Sequence, residues 1–330
     1  MATEILDHPV QAPTVWKGSD LAKRTDWIWH FDRRHLDELE VLQREAAAHP
    51  ARPADANAYP ALRVLLDRAN RELTAGLGFV VLRGFPLENR SAAEAGNLYL
   101  AMGRLLGKPI SQNSYGDLLG HVRDEGRRYR TTSNLKGARG YLGNEALLFH
   151  ADLGDAVGLL CLAKAKQGGL SSITSSMTVY NEILAQHPEY LPAYYRGFPY
   201  LNLEADGDQS EWRNPIYTYH HGMLSLAIRR NTIETARMNG VYFSELEQAA
   251  LQYLDKTAAR ADLRLDMALE PGDVQLLNNY VVMHSRTEFV DDPARPRHML
   301  RLWLQLPNGR SFLSVYPTIY DGIPKTLERA

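Results

Sequence analysis

Apolar and polar positions keep two rhythms along this chain, helical in its first third and strand-like over most of the remainder. Leu36, Leu39, Val41, Leu42 and Ala46 fall near one face and predict a helix over residues 35–49. A second helix is expected in "ALRVLLDRANRELTAGLG", ending near Gly76 or Gly78, and then a short strand, "FVVLRGFP", stopped by Gly84 and Pro86. "SAAEAGNLYLAMGRLLGKP" reads as a third helix, with Ser91 as N-cap and Gly107-Lys-Pro as terminator.

Residues 110–142 are polar, basic and without clear period, the usual mark of a functional loop. Beyond them "LLFHADL", "VGLLCLA" and "SSITSSM" are short strand candidates, and "TVYNEILAQHPEYLPAYY" is helical but interrupted by Pro188 and Pro192. A hairpin around Gly222 is expected in residues 212–229, and a helix in residues 243–263 with Phe243, Leu246, Ala250, Leu251 and Leu254 on one stripe. The last third alternates strands with polar turns, among them Gly272-Asp273 and Asn278-Asn279. Residues 1–30, with Trp16, Trp27 and Trp29, suit an ordered arm or edge strand. Helices preceding a β-rich body fit a barrel or sandwich with helices outside it. No Gly-rich loop joins a strand to a helix, so nucleotide binding has no support.

Composition narrows the class. The 330 residues are 45% hydrophobic and 23% charged, with a net charge of −2, which fits a soluble globular protein and disfavours a nucleic-acid binder. No apolar stretch approaches the roughly 20 residues of a membrane span, and no secretory leader is visible. The single cysteine, Cys161, lies in an apolar run and is expected to be a buried thiol. A cytoplasmic enzyme or binding protein acting on a small molecule is the expectation.

The candidate chemistry starts at "LLFHADLGD". His150 and Asp152 are two residues apart, so an extended backbone would present both on one face. Far downstream "YVVMH" ends at His284, and two histidines with one carboxylate make the facial triad of non-haem Fe(II) oxygenases. Arg297 and Arg301 flank or enter the alternating strand "HMLRLWLQL", and a buried guanidinium there would need a carboxylate-type partner. His220-His221 are expected to be turn residues.

Taken in order, "GFVVLRGFP", "FHADLGD", "QGGLSSITSSMTVYNEI", "PGDVQLLNNYVVMHSRTEF" and "RPRHMLRLWLQLP" resemble the signatures of the taurine-dioxygenase (TauD/TfdA-like) family. These are Fe(II)- and 2-oxoglutarate-dependent oxygenases with a clavaminate-synthase-like core. The resemblance runs from about Gly78 to about Pro307, most of the chain. It implies a double-stranded β-helix (jelly roll) with flanking α-helices, in one domain over 1–330: an arm and helices in 1–77, a catalytic core in 78–307 and a tail in 308–330. His150, Asp152 and His284 match the iron ligands, and Arg297 matches the arginine that binds the distal carboxylate of 2-oxoglutarate. Where the family usually has a threonine after the "GG" pair, this chain has Leu170-Ser171-Ser172, so a serine would serve, Ser171 by alignment and Ser172 otherwise. Arg301 matches a position that serves the substrate in some members and the cosubstrate in others.

The implied reaction uses Fe(II), 2-oxoglutarate and O2 to hydroxylate an unactivated C–H of a small polar, amino-acid-like metabolite, releasing succinate and CO2. Desaturation or cyclisation at the same iron is the alternative. A silent metal- or ligand-binding protein and a zinc hydrolase are rivals, and the latter would have no need of Arg297. Asp152 occupies the place a halide would need, which disfavours halogenation. Gln112, Asn113, Tyr115, Arg123, Asn144 and Glu145 are candidates to line the substrate pocket, with Glu145 placed to take a substrate amine. Relatives of this kind are often dimers or tetramers, so a homo-oligomer is expected.

Overall fold

The computed structural model describes residues 4–49, 55–126, 142–201, 211–310 and residue 323. Two sheets carry the core. The larger runs, in spatial order, Ile28–His30, Phe79–Arg83, Val274–Asn278, Ala156–Ala163, His298–Gln305 and Lys108–Pro109, with Leu119–Val122 also paired to His298–Gln305. The smaller runs Arg264–Met267, Ser171–Ser175, Val282–Arg286 and Leu147–His150. Pairing is antiparallel except at the edge strand Ile28–His30, which lies parallel to Phe79–Arg83. Val274–Asn278 and Val282–Arg286 are successive strands in different sheets, and the chain crosses between them at Asn278 and Asn279. This is the jelly-roll core with flanking helices.

The final strand shows why the sequence folds this way. His298–Gln305 is buried along six of its eight residues, so it needs cover on both faces. Met299 and Trp303 join the cluster inside the roll, while Leu300, Leu302 and Leu304 join the cluster under the helices. Alternation therefore puts Arg301 on the interior face. The cover on the other side includes the helix Ala92–Leu106, which starts in a capping box: Glu94 N donates to Ser91 Oγ at 3.2 Å, and Ser91 N donates to Glu94 Oε2 at 2.8 Å. Its approach depends on Gly103, where an added Cβ would lie 2.1 Å from Leu302 Cδ2.

Several boundaries differ from those the local pattern predicts, each for a local reason. The stretch 178–195 is interrupted at Pro188, as expected, into Ser176–Gln186, a 3₁₀ turn Pro188–Tyr190 and Leu191–Arg196, whereas Pro192 sits in the first turn of the last helix without breaking it. Pro188 forces His187 out of the helical region, to φ −144° and ψ 58°. The strand expected over 171–177 stops at Ser175, whose Oγ accepts the Thr178 amide at 3.0 Å and so starts the helix. In the helix Arg33–Ala48, Leu39 and Leu42 are buried but Val41 is on the outer side, and Leu246 is likewise outside the buried stripe of Glu245–Ala258. The hairpin Tyr217–His220/Met223–Leu226 turns through His221 and Gly222, both at positive φ as its two-residue loop requires. Cys161 is buried. Among the described residues no helix is long and apolar enough to cross a membrane.

Because Leu302 is itself fully packed, a larger residue at position 103 has nowhere to go. Gly103→Val is expected to destabilise the protein by about 1–3 kcal/mol, read from the urea midpoint at unchanged m-value. An unshifted midpoint would mean that the helix can lift off the sheet without penalty.

Candidate active site

The site is built on one strand pairing. Val282–Arg286 lies between Ser171–Ser175 and Leu147–His150, and the register sets His284 opposite both Ile173 and His150. Paired residues share a face, so the two imidazoles meet inside the roll with ring centroids 4.3 Å apart. The strand does not extend to Asp152, as its spacing from His150 predicts; it ends at His150, and Asp152 lies in the next turn. That turn is pinned by Asn279, whose Oδ1 accepts the Asp152 amide at 3.2 Å and whose Nδ2 donates to Leu153 O at 3.0 Å and Gly154 O at 3.1 Å. The result brings one ligand atom from each of His150, Asp152 and His284 within 4.8 Å of the others.

Hydrogen bonding prepares these atoms for a cation. His150 Nδ1 lies 2.8 Å from Leu148 O; a carbonyl can only accept, so Nδ1 carries the proton and Nε2 keeps its lone pair. Asp152 Oδ1 accepts from Arg301 Nη1 at 3.2 Å, while Oδ2 is buried without a hydrogen-bond partner, 3.5 Å from His284 Nε2. Burial pushes the His150 imidazole down to about 4, aided by His284, so it is neutral at pH 7. Burial works to raise Asp152, but the Arg301 guanidinium and the two imidazoles outweigh it and hold the carboxyl well below the usual range. Two imidazoles and one ionised carboxylate, converging with an unsatisfied oxygen, fit a divalent ion such as Fe(II).

Arg301 is itself held. Its Nε donates to Gln112 Oε1 at 2.8 Å, and Gln112 Nε2 donates back to Arg301 O at 2.7 Å and to Leu118 O at 2.9 Å. Gln112 is fully buried in this role. Asn113 spends its side chain on its own turn, accepting from the Tyr115 and Asp117 amides and donating to Asp117 Oδ2 at 2.8 Å. Tyr115 is largely exposed, and Arg123 pairs with Glu125 near the surface. Asn144 and Glu145 are half-buried; their carbonyls accept from the Phe289 amide and from Arg286 Nη2.

Arg297 is 7% exposed, and its Nη1 is buried with no partner among the described residues. Its guanidinium stands over the Phe289 ring at 5.2 Å and fills the space beside Gly169, where a Cβ would lie 3.1 Å from Nε. Asp291 lies nearby, its Oδ1 accepting the Arg297 amide at 2.8 Å, but no carboxylate among the described residues hydrogen-bonds to the guanidinium, which suits it to an added anion. Neither serine bonds to it: Ser171 Oγ donates to Gln275 Oε1 at 3.0 Å, and Ser172 Oγ to Asp266 Oδ1 at 2.5 Å. The register puts Ser171 on the His284 face and Ser172 on the other.

Three residues at this centre are not singled out by the sequence. Asn279 reads only as part of a turn, Gln275 as strand, and Arg286 as neither ligand nor pocket residue. For Arg286 a signal exists: its place two residues after His284 on a strand puts it on the same face.

The chain belongs to the Taurine catabolism dioxygenase TauD, TfdA family, which it matches over residues 48–303. It is an Fe(II)- and 2-oxoglutarate-dependent dioxygenase. It is 35% identical over 322 residues to FR-33289 synthase of Streptomyces rubellomurinus (strain ATCC 31215), covering 94% of both chains. It is 26% identical to the taurine hydroxylase-like protein SAT17 of Stachybotrys chartarum, over 74% of this chain and 64% of that one. Among solved structures, asparagine oxygenase with Fe(II), 2S,3S-3-hydroxyasparagine and succinate shares the fold at TM-score 0.65 and 21% identity, over 84% of this chain and 93% of that one. The non-heme iron oxygenase OrfP with Fe and α-ketoglutaric acid does so at TM-score 0.58 and 13% identity, over 84% and 94%.

The metal-free protein should lose stability as pH falls from about 6.5 towards about 4. His150 and His298, the latter also pushed to about 4 by burial and then by His121, stay neutral in the fold while the unfolded chain takes up their protons near 6.5. The depressed Asp152 carboxyl adds stability that is lost in the same direction, at lower pH. Thermal midpoints of metal-free protein across this range check the slope; a flat profile would contradict the buried neutral imidazoles.

Proposed function

We propose that His150, Asp152 and His284 hold the Fe(II), and that Arg297 binds the distal carboxylate of 2-oxoglutarate. The substrate in this reading is a small anionic or zwitterionic, amino-acid-like molecule. It is hydroxylated at an unactivated C–H, with release of succinate and CO2. The observation that carries the reading is the coexistence of three converging ligand atoms within 4.8 Å and a buried guanidinium with an unpartnered Nη1. We also take residues 1–330 to act as one catalytic domain, supported by Leu6 and Trp16 of the arm packing in the same cluster as Trp303.

When bound, the iron and its cosubstrate supply the oxidation that breaks the C–H bond. The chain's own part is preparation. The Leu148 carbonyl holds the His150 tautomer, and Asn279 holds the turn carrying Asp152. Arg301 occupies Asp152 Oδ1 and leaves Oδ2 for the metal, and Gln112 fixes Arg301 in turn. Arg297 orients the cosubstrate through a charge-assisted contact. Arg301, engaged in this way, is a positioning residue in this reading.

Asparagine oxygenase and OrfP have been solved with hydroxylated amino acids, 2S,3S-3-hydroxyasparagine and (3S)-hydroxy-L-Arg, which supports an amino-acid-like substrate here. Glu145, on the segment whose carbonyls Arg286 holds, is the proposed partner of the substrate amine. The naming of the 35% identical relative as a synthase favours, as a second reading, desaturation or cyclisation in a biosynthetic sequence. The product distinguishes them: hydroxylation adds one oxygen, and the alternative removes two hydrogens.

Anaerobic addition of Fe(II) and 2-oxoglutarate should produce a weak visible charge-transfer band that His150→Ala abolishes. Arg297→Lys should raise the 2-oxoglutarate concentration needed by at least about tenfold. Tight zinc binding with no such band would overturn the reading. In an amino-acid screen for O2-dependent succinate release, Glu145→Gln should raise the substrate KM several-fold with little change in kcat; an unchanged KM would remove the amine contact.

A further inference from the structure

Arg286 is as deeply buried as Arg297 and, like it, has buried nitrogens without a partner among the described residues. It is 5% exposed, and only its Nη2 is used, donating to Gly143 O at 2.7 Å and Glu145 O at 2.5 Å. Its Nε and Nη1 are buried with no partner among the described residues. The guanidinium lies over the Phe289 ring at 4.7 Å, the same ring that backs Arg297 at 5.2 Å. Across the sheet Arg286 is the register partner of Ser171, two residues beyond the Gly169 that makes room for Arg297. Two cationic groups thus share one aromatic ring and one short segment of chain. Asp291 favours both charges from nearby, and Asp124 that of Arg286, but no carboxylate among the described residues hydrogen-bonds to either guanidinium.

We propose that Arg286 is a second guanidinium for the distal carboxylate of 2-oxoglutarate, acting beside Arg297 in place of the hydroxyl that Ser171 gives to Gln275. The inference rests on the cosubstrate reading above. It makes this pocket select a 2-oxo acid by its distal charge through two arginines. It also ties the cosubstrate to the substrate side, because the Nη2 of the same side chain holds the carbonyls around Asn144 and Glu145.

The test is anaerobic calorimetry of the Fe(II)-loaded enzyme with 2-oxoglutarate and with 2-oxopentanoate, which keeps the chelating end and lacks the distal carboxylate. Arg286→Gln is expected to raise the Kd for 2-oxoglutarate about tenfold or more while moving that for 2-oxopentanoate less than about twofold. Equal changes in both, or none, would make Arg286 only a clamp on the 143–145 segment and overturn the proposal. Should Arg286→Gln not fold, Arg286→Lys serves with the same ratio: a lowered preference for 2-oxoglutarate is expected, and an unchanged preference overturns it. Arg297→Gln run in parallel separates the two levels. If it too leaves the preference intact, the cosubstrate reading falls; if it alone abolishes the preference, only the role of Arg286 does.

Discussion

The register that sets His284 opposite His150 is the constraint on which the centre depends. Side chains in a strand alternate, so a slip of one residue would send His284 and Arg286 to the far side of the sheet and bring Met283 inward. The slip is opposed from several directions. Val282–Arg286 is paired along its length with Ser171–Ser175, and Met283 is buried in hydrophobic packing on the opposite face of the sheet. The crossing into this strand is tied by Asn278, which accepts the Tyr280 amide and donates to Leu73 O. Asn279 then links that crossing to the Asp152 turn, so one corner of the fold positions both the second histidine and the carboxylate.

Charge is distributed around this corner in an uneven way. Asp152 has its own cation, Arg301, locked by Gln112, and the His150 imidazole beside it is uncharged. Further along the same interior, Arg286 and Arg297 lie against Phe289 with unpartnered N–H groups. A protein that needed only stability would not bury two such cations, since their desolvation is offset only by a well-placed anion. The opposite face of the final strand is apolar, with Leu300, Leu302 and Leu304 packed under the helices. Polarity is thus confined to one side of a strand whose other side is ordinary hydrophobic core.

Much of this is legible in the sequence. The order of helices and strands, the capping at Ser91, the turn at Asn278-Asn279 and the burial of Cys161 come from local pattern and turn chemistry, which act over a few residues. The ordered motifs point to His150, Asp152, His284 and Arg297 and to the family to which the chain belongs. Local pattern misjudges the elements where a cap competes with it, as at Ser175, and overstates Pro192, which is tolerated in the first turn of a helix. It also takes Asp152 for a strand residue, because a turn stabilised by a side chain more than a hundred positions away leaves no trace in its own neighbourhood.

What the tertiary structure decides is which polar groups meet. Gln112 reads as a pocket residue and is instead the support of Arg301; Ser171 reads as a carboxylate ligand and bonds to Gln275. The spacing of Arg286 from His284 marks only its face, because its burial and its shared ring with Arg297 exist only once two strands and the 143–145 segment are brought together. The sequence determines the rhythm of faces and the kinds of donor on offer, since these depend on residue type and spacing. Only the folded chain assigns each donor its partner, because hydrogen bonds and buried charges are settled by distance in space.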